Sequence, residues 1–112
     1  VWTVFFDADW DEVPVNSNRI AYYRTISYKD DKPSGVIKDY YKNGTIQFEG
    51  TMTQDRPEEL KEGDCIYYDE KGRKTQLTVY SNNKTISNTF YDKQGNITKD
   101  SFIPITDQAD EL

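Results

Sequence analysis

Asp39-Tyr40-Tyr41-Lys42-Asn43-Gly44-Thr45-Ile46 is the stretch that decides the fold. An aromatic pair is followed by a short polar run, a glycine and a strand-like segment. Asn-Gly in this setting is a strong hairpin signal, because a tight return needs positive φ and glycine reaches it without a Cβ clash. Two further segments share the pattern: Ile66-Tyr67-Tyr68-Asp69-Glu70-Lys71-Gly72-Arg73-Lys74 and Thr89-Phe90-Tyr91-Asp92-Lys93-Gln94-Gly95-Asn96-Ile97. Aligned on their aromatic pairs, these two carry a turn one residue longer than the first. A fourth, degenerate copy opens the chain at Phe5-Phe6-Asp7-Ala8-Asp9-Trp10, with Trp10 where glycine would stand. Terminal repeats are often atypical because they cap the stack.

Outward from these hairpins, Ile20 to Tyr28 and Thr75 to Tyr80 alternate as strands do, and Ser81-Asn82-Asn83-Lys84 reads as another turn. Asp30 to Gly35 reads as a loop. Residues 56–62 are the one helix-like stretch, with Pro57 and acidic residues at its start and Gly63 as its stop. The expected fold is therefore all-β. It is an antiparallel meander of tandem β-hairpin repeats in an open sheet, with at most one short helix near 56–62. The expected organisation is a single domain: 1–34 as a degenerate N-terminal repeat or cap, 35–100 as three repeats, and 101–112 as a tail.

Composition agrees with a thin sheet. The chain has 112 residues, 35% hydrophobic and 14% aromatic, with 9 Tyr, 5 Phe and 2 Trp. Tyrosine suits a half-wet sheet, since its ring packs while its hydroxyl reaches water. The formal net charge is -6, which disfavours nucleic acid and anionic membrane surfaces as partners. No apolar run is long enough to cross a membrane as a helix. The chain opens on Val1 rather than Met, so an upstream segment is expected to have been removed.

Candidate chemistry is sparse. There is no histidine, the commonest general base, and Cys65 is the single cysteine, expected to pack as a small apolar side chain in a strand. Asp7, Asp9 and Asp11 resemble the opening of a calcium loop. The glycine and glutamate that such a loop needs further on are replaced by Glu12 and Asn18, so a solvated acidic turn is expected. Carboxylates are plentiful, yet nothing marks two of them as a glycosidase pair. Glycosylation sequons at Asn43, Asn83 and Asn96 fall in expected turns. No catalytic residue, metal site or cofactor is therefore expected.

The aromatic pairs remain. Neighbours on a strand point to opposite faces. Tyr40, Tyr67 and Phe90 are expected on one face, with Val36, Cys65 and Ile86, which makes it the core face. Tyr41, Tyr68 and Tyr91 are expected on the other, as a tyrosine-lined binding stripe. The competing reading buries both faces in part beneath neighbouring segments.

The run from Tyr40-Tyr41 through Gly44 to Glu49-Gly50 resembles the MORN-variant repeat of bacterial proteins, and the copies at Tyr67-Tyr68 and Phe90-Tyr91 match it more loosely. Phe6-Asp7 and Tyr22-Tyr23-Arg24 look like what precedes such repeats in some bacterial envelope proteins. The resemblance implies successive hairpins and a non-enzymatic protein-interaction or scaffolding role, with an acidic, antitoxin-like immunity protein as one version. The alternative is an envelope or secreted module that binds a saccharide or polymer through the tyrosine face. A cytoplasmic location stays open. The edges of an open sheet also offer a route to a homodimer.

Overall fold

Four turns of one design fix the architecture. In each, a first residue both accepts a hydrogen bond from the backbone N–H three residues on and donates its own N–H to the carbonyl four residues on. The first residues are Asp7, Tyr41, Asp69 and Asp92. The fourth residue is in the left-handed region: Trp10 (φ 63°), Gly44 (93°), Gly72 (82°) and Gly95 (86°). This is the three-residue hairpin loop that ends on a left-handed residue. Trp10 thus holds a glycine position with a bulky side chain, at a backbone cost of about 1–3 kcal/mol.

The computed structural model describes residues 1–102. The strands are β1 (Trp2–Phe6), β2 (Glu12–Val13), β3 (Tyr22–Ile26), β4 (Tyr28–Lys29), β5 (Lys32–Pro33), β6 (Ile37–Tyr41), β7 (Ile46–Gln54), β8 (Leu60–Tyr68), β9 (Lys74–Ser81), β10 (Lys84–Tyr91) and β11 (Ile97–Phe102). Nine of them form one open antiparallel sheet in the order β11-β10-β9-β8-β7-β6-β3-β1-β2, and β4 and β5 form a separate hairpin. The β4–β5 and β9–β10 hairpins turn on residue pairs at positive φ, Asp30-Asp31 and Asn82-Asn83. Asn and Asp tolerate that region better than other non-glycine residues. The chain is therefore all-β, as expected. Of the expected tail 101–112, residues 101 and 102 belong to β11, and 103–112 lie outside the described residues.

The register sorts side chains onto two faces, since directly opposed residues share a face. Val4, Arg24, Asp39, Phe48, Tyr67 and Gln76 follow one another across β1, β3, β6, β7, β8 and β9, and Phe90 continues them on β10. This inner face holds the core: Ile26, Ile37, Phe48, Met52 and Cys65 are buried, with Val4, Tyr67 and Tyr80 packed against them. Gly50 belongs here because there is no room for more. A Cβ on it would stand 2.7 Å from Cys65 Sγ and 2.9 Å from the Phe48 ring. Thr78 is buried opposite Cys65, its hydroxyl donating to Asn88 Oδ1. The apolar residues of the same strand, Leu77 and Val79, lie on the other, half-buried face.

Several expectations change, among them the loop at Asp30 to Gly35, which contains β5. Residues 56–62 are not helical: a bend leads into β8, whose Leu60, Lys61 and Glu62 pair with Gln54, Met52 and Thr51. Ladder pairing satisfies these backbone groups where a two-turn helix would leave most of its own unpaired. Gly63, expected as a helix stop, instead sits within β8 at φ 73°, beside a register shift against β7. Val36, expected in the core, is 58% exposed, and Ile37 takes the buried place.

Candidate functional site

The turns also decide where the tyrosines point. Counting from each turn glycine, Asp39, Tyr67 and Phe90 are equivalent, and so are Tyr40, Tyr68 and Tyr91. A register shift follows each of the first three on the strand pair it belongs to, so Gln47, Thr75 and Thr98 are equivalent extra residues on the return strands. The hydroxyls of Thr75 and Thr98 make the same bond, to the carbonyls of Tyr67 and Phe90. The expected partition is therefore exchanged in the first copy. Tyr40, not Tyr41, shares the outer face with Tyr68 and Tyr91, whereas Tyr41 lies on the inner face opposite Tyr22. Tyr41 fills the first turn position, which Asp69 and Asp92 hold in the other copies, and that moves its aromatic pair by one residue. A one-residue slip swaps faces in a period-two structure.

On the outer face, Phe5 meets Tyr23 at 6.3 Å between ring centroids, and Tyr23 stacks on Tyr40 at 4.8 Å. Tyr68 donates its hydroxyl to Glu49, and burial first, then that carboxylate, raises its pKa to about 12. Further along, Lys74 lies over the Tyr91 ring at 4.7 Å. Phe5, Tyr23, Tyr40, Tyr68 and Tyr91 thus form a row across the strands near the turn end of the sheet, and each is only half-buried. Of the three tyrosines expected to bind, Tyr68 and Tyr91 belong to this row and Tyr41 does not. Tyr41 instead donates its hydroxyl to the Tyr68 carbonyl at 2.6 Å.

The inner face carries what the sequence did not reveal. Arg24 and Asp39, opposed on β3 and β6, are 5% and 3% exposed. They form a two-pronged ion pair, Nε to Oδ1 at 2.7 Å and Nη2 to Oδ2 at 3.0 Å. The same Nη2 reaches Glu59 at 2.8 Å, and Lys61 lies 3.4 Å from the other Glu59 oxygen. Burial works against the Arg24 charge, but Asp39 and Glu59 outweigh it and hold the guanidinium's pKa above its ordinary value. Burial pushes the Asp39 carboxyl upward, with Arg24 opposing. This cluster ties the 55–59 loop to the sheet, helped by Tyr28 to Asp55 at 2.6 Å and Arg56 to Glu12 at 2.9 Å.

Beside the cluster lies a cavity of about 430 Å³, lined among others by Phe6, Trp10, Arg24, Gln47, Glu59 and Tyr67. A second, of about 400 Å³, shares Phe6, Trp10, Arg24 and Glu59 with it and continues toward Glu12 and Arg56. Trp10 stacks on Tyr22 with centroids 4.0 Å apart and planes 11° apart. The sequence signals that could have found this site are an arginine in the buried phase of β3 and a tryptophan in a glycine position.

Asp7, Asp9 and Asp11 come together, their carboxylate oxygens within 4.8 Å. Asp7 Oδ1 accepts the backbone N–H groups of Asp9 and Asp11, as Asp69 and Asp92 do in their own turns. That shared arrangement explains Asp7 as a turn residue. Cys65 is fully buried, and burial raises its thiol pKa. No helix among the described residues is long and apolar enough to cross a membrane. No family model matches the chain, and comparison with curated proteins and with solved structures finds no match either.

Proposed function

We propose that this chain is a non-enzymatic protein-interaction module, of the MORN-variant hairpin-repeat kind, that docks a protein with a basic surface on its outer face. The observation that carries the reading is the half-buried row from Phe5 through Tyr23 and Tyr40 to Tyr68 and Tyr91. Phe5, Tyr23 and Tyr40 are in ring contact, and Tyr68 and Tyr91 extend their line on alternate strands. Partly exposed aromatic surface of this kind marks binding sites, and tyrosine is enriched among the residues that dominate interface energies. The net charge of -6 favours a basic partner and speeds its approach. A basic toxin neutralised by this chain is one such partner.

The test is a photo-crosslinking residue at Tyr68, with a second at Lys84, the exposed first residue of β10, as control, in cells that make the protein. The expected result is one protein crosslinked from Tyr68 alone. Once purified, that protein should bind the isolated chain in a salt-sensitive way and lose at least about tenfold in affinity to Tyr40→Ser/Tyr68→Ser/Tyr91→Ser. Equal binding by that folded triple variant overturns the proposal, as does the absence of any crosslink specific to the outer face.

A further inference from the structure

We propose that the inner-face cavity between Trp10, Arg24, Gln47 and Glu59 is a binding site for a neutral saccharide, separate from the outer tyrosine row. The proposal does not depend on the protein-docking role.

The argument starts from charge. The groups gathered at the cavity are Arg24 and Lys61 on one side and Asp39 and Glu59 on the other, two positive and two negative. They are already paired with one another, so the site offers no uncompensated charge to hold an ion. What it does offer is hydrogen-bonding capacity beside aromatic surface. The carboxylate of Glu59 retains acceptor lone pairs beyond its two ionic contacts. The Gln47 side-chain amide and the Trp10 indole N–H make no hydrogen bond to another described residue, and both residues line the cavity. Phe6, Trp10 and Tyr67 supply ring surface. A sugar ring has this dual character, with hydroxyls around its edge and an apolar C–H face. The cavity's volume lies in the range of small-molecule sites.

Trp10 is the residue that sets this site apart. In the three other turns of the same design a glycine takes the left-handed position, which it adopts without strain. Trp10 adopts it at φ 63°, stacks on Tyr22, and stands at the wall common to both cavities. Tyr22 backs the indole and fixes it as a platform, which lowers the ordering cost of binding. Gln47 is likewise singular: it occupies the extra-residue position where Thr75 and Thr98 bond back to their own sheet. Both departures from the repeat pattern point at one cavity.

The turn glycines also provide a clean variant. Trp10→Gly places in the first turn the residue its siblings use, so the turn is retained while the platform is removed. The experiment follows indole and side-chain amide signals by NMR while cellotetraose, maltotetraose and chitotriose are added to the full chain, with trigalacturonate as an acidic counterpart. The expected result is saturable movement of the Trp10 indole and Gln47 amide signals with at least one neutral probe, at about millimolar concentration or below and insensitive to salt. Trp2, the other tryptophan, is 67% exposed and away from the cavity, and should stay still. Trp10→Gly and, independently, Gln47→Ala should each weaken binding by about tenfold. Tyr68→Ser, on the opposite face, should leave it unchanged. The proposal is overturned if none of the neutral probes moves these signals, if only trigalacturonate does, or if Gln47→Ala and Trp10→Gly bind as the parent does. An outer-face variant that loses its protein partner but keeps the sugar response separates this result from the docking proposal.

Discussion

The two faces of the sheet are made from the same alternating strands and behave as different materials. The inner face has a small core around Ile26, Ile37, Phe48, Met52 and Cys65, and beside it a buried ion pair whose polar atoms are all satisfied. The outer face also carries large side chains, Tyr23, Tyr40, Tyr68 and Tyr91, but none of them is fully buried. Large aromatic side chains therefore do not by themselves make a face the core. Coverage decides it: the 55–59 loop reaches Arg24 on the inner side, and contacts between β5 and β7 bring the β4–β5 hairpin against the sheet. Stability should accordingly concentrate on the inner face, and the outer face should tolerate change.

Asp39→Ala should separate the two faces most strongly. It leaves the buried Arg24 guanidinium without its main partner, and we expect a loss of about 3–5 kcal/mol in urea unfolding. A loss no larger than that of an outer-face tyrosine would end the distinction between faces. Next comes Gly50→Ala, whose added Cβ meets Cys65 and Phe48. Overpacking should cost about 1–3 kcal/mol, and Cys65→Ala in the same chain should recover part of it. Gly95→Val tests the turns apart from either face. Nothing lies within 4 Å of that position, so the expected cost of about 1–3 kcal/mol comes from φ 86° alone. On the outer face, Tyr40→Ala should lose the stack on Tyr23, worth about 0.5–1.5 kcal/mol beyond the lost area.

The smallest effect is in pH dependence. Asp69 and Asp92 have lowered pKa values, chiefly through the backbone N–H groups of Arg73 and Asn96 respectively. Groups with depressed folded-state pKa values stabilise the fold above the unfolded value, near about 4. That contribution is lost as pH falls through the folded value. Melting temperature should therefore decline in that acid window. Asp69→Asn/Asp92→Asn keeps the accepting oxygens and removes the titration, so its decline should be shallower. An unchanged slope would place the acid sensitivity elsewhere.

How far these features were legible depends on whether their cause is local. Gly44, Gly72 and Gly95 announced hairpin tips because a left-handed residue is a requirement of the turn itself, and Trp10 was recognisable as the same position by its spacing. Cys65 was readable as a buried strand residue. The Tyr40–Tyr41 pair hides its register because its two rings resemble the pairs at Tyr67 and Phe90, although the count to Gly44 differs by one. Val36 lost its expected place to Ile37 for the same reason: in a strand one residue of offset reverses inside and outside.

The all-β meander and the positions of its turns follow from local sequence alone, since glycine conformation and period-two alternation act over a few residues. Long-range packing settled how the core face is covered. It also decided that Arg24 and Asp39 face one another, that Glu59 closes over them, and that Trp10 and Gln47 meet at one cavity. Those contacts join residues 15 or more positions apart. They depend on how the hairpins register and on where the 55–59 loop lands, and no local pattern of residues specifies either.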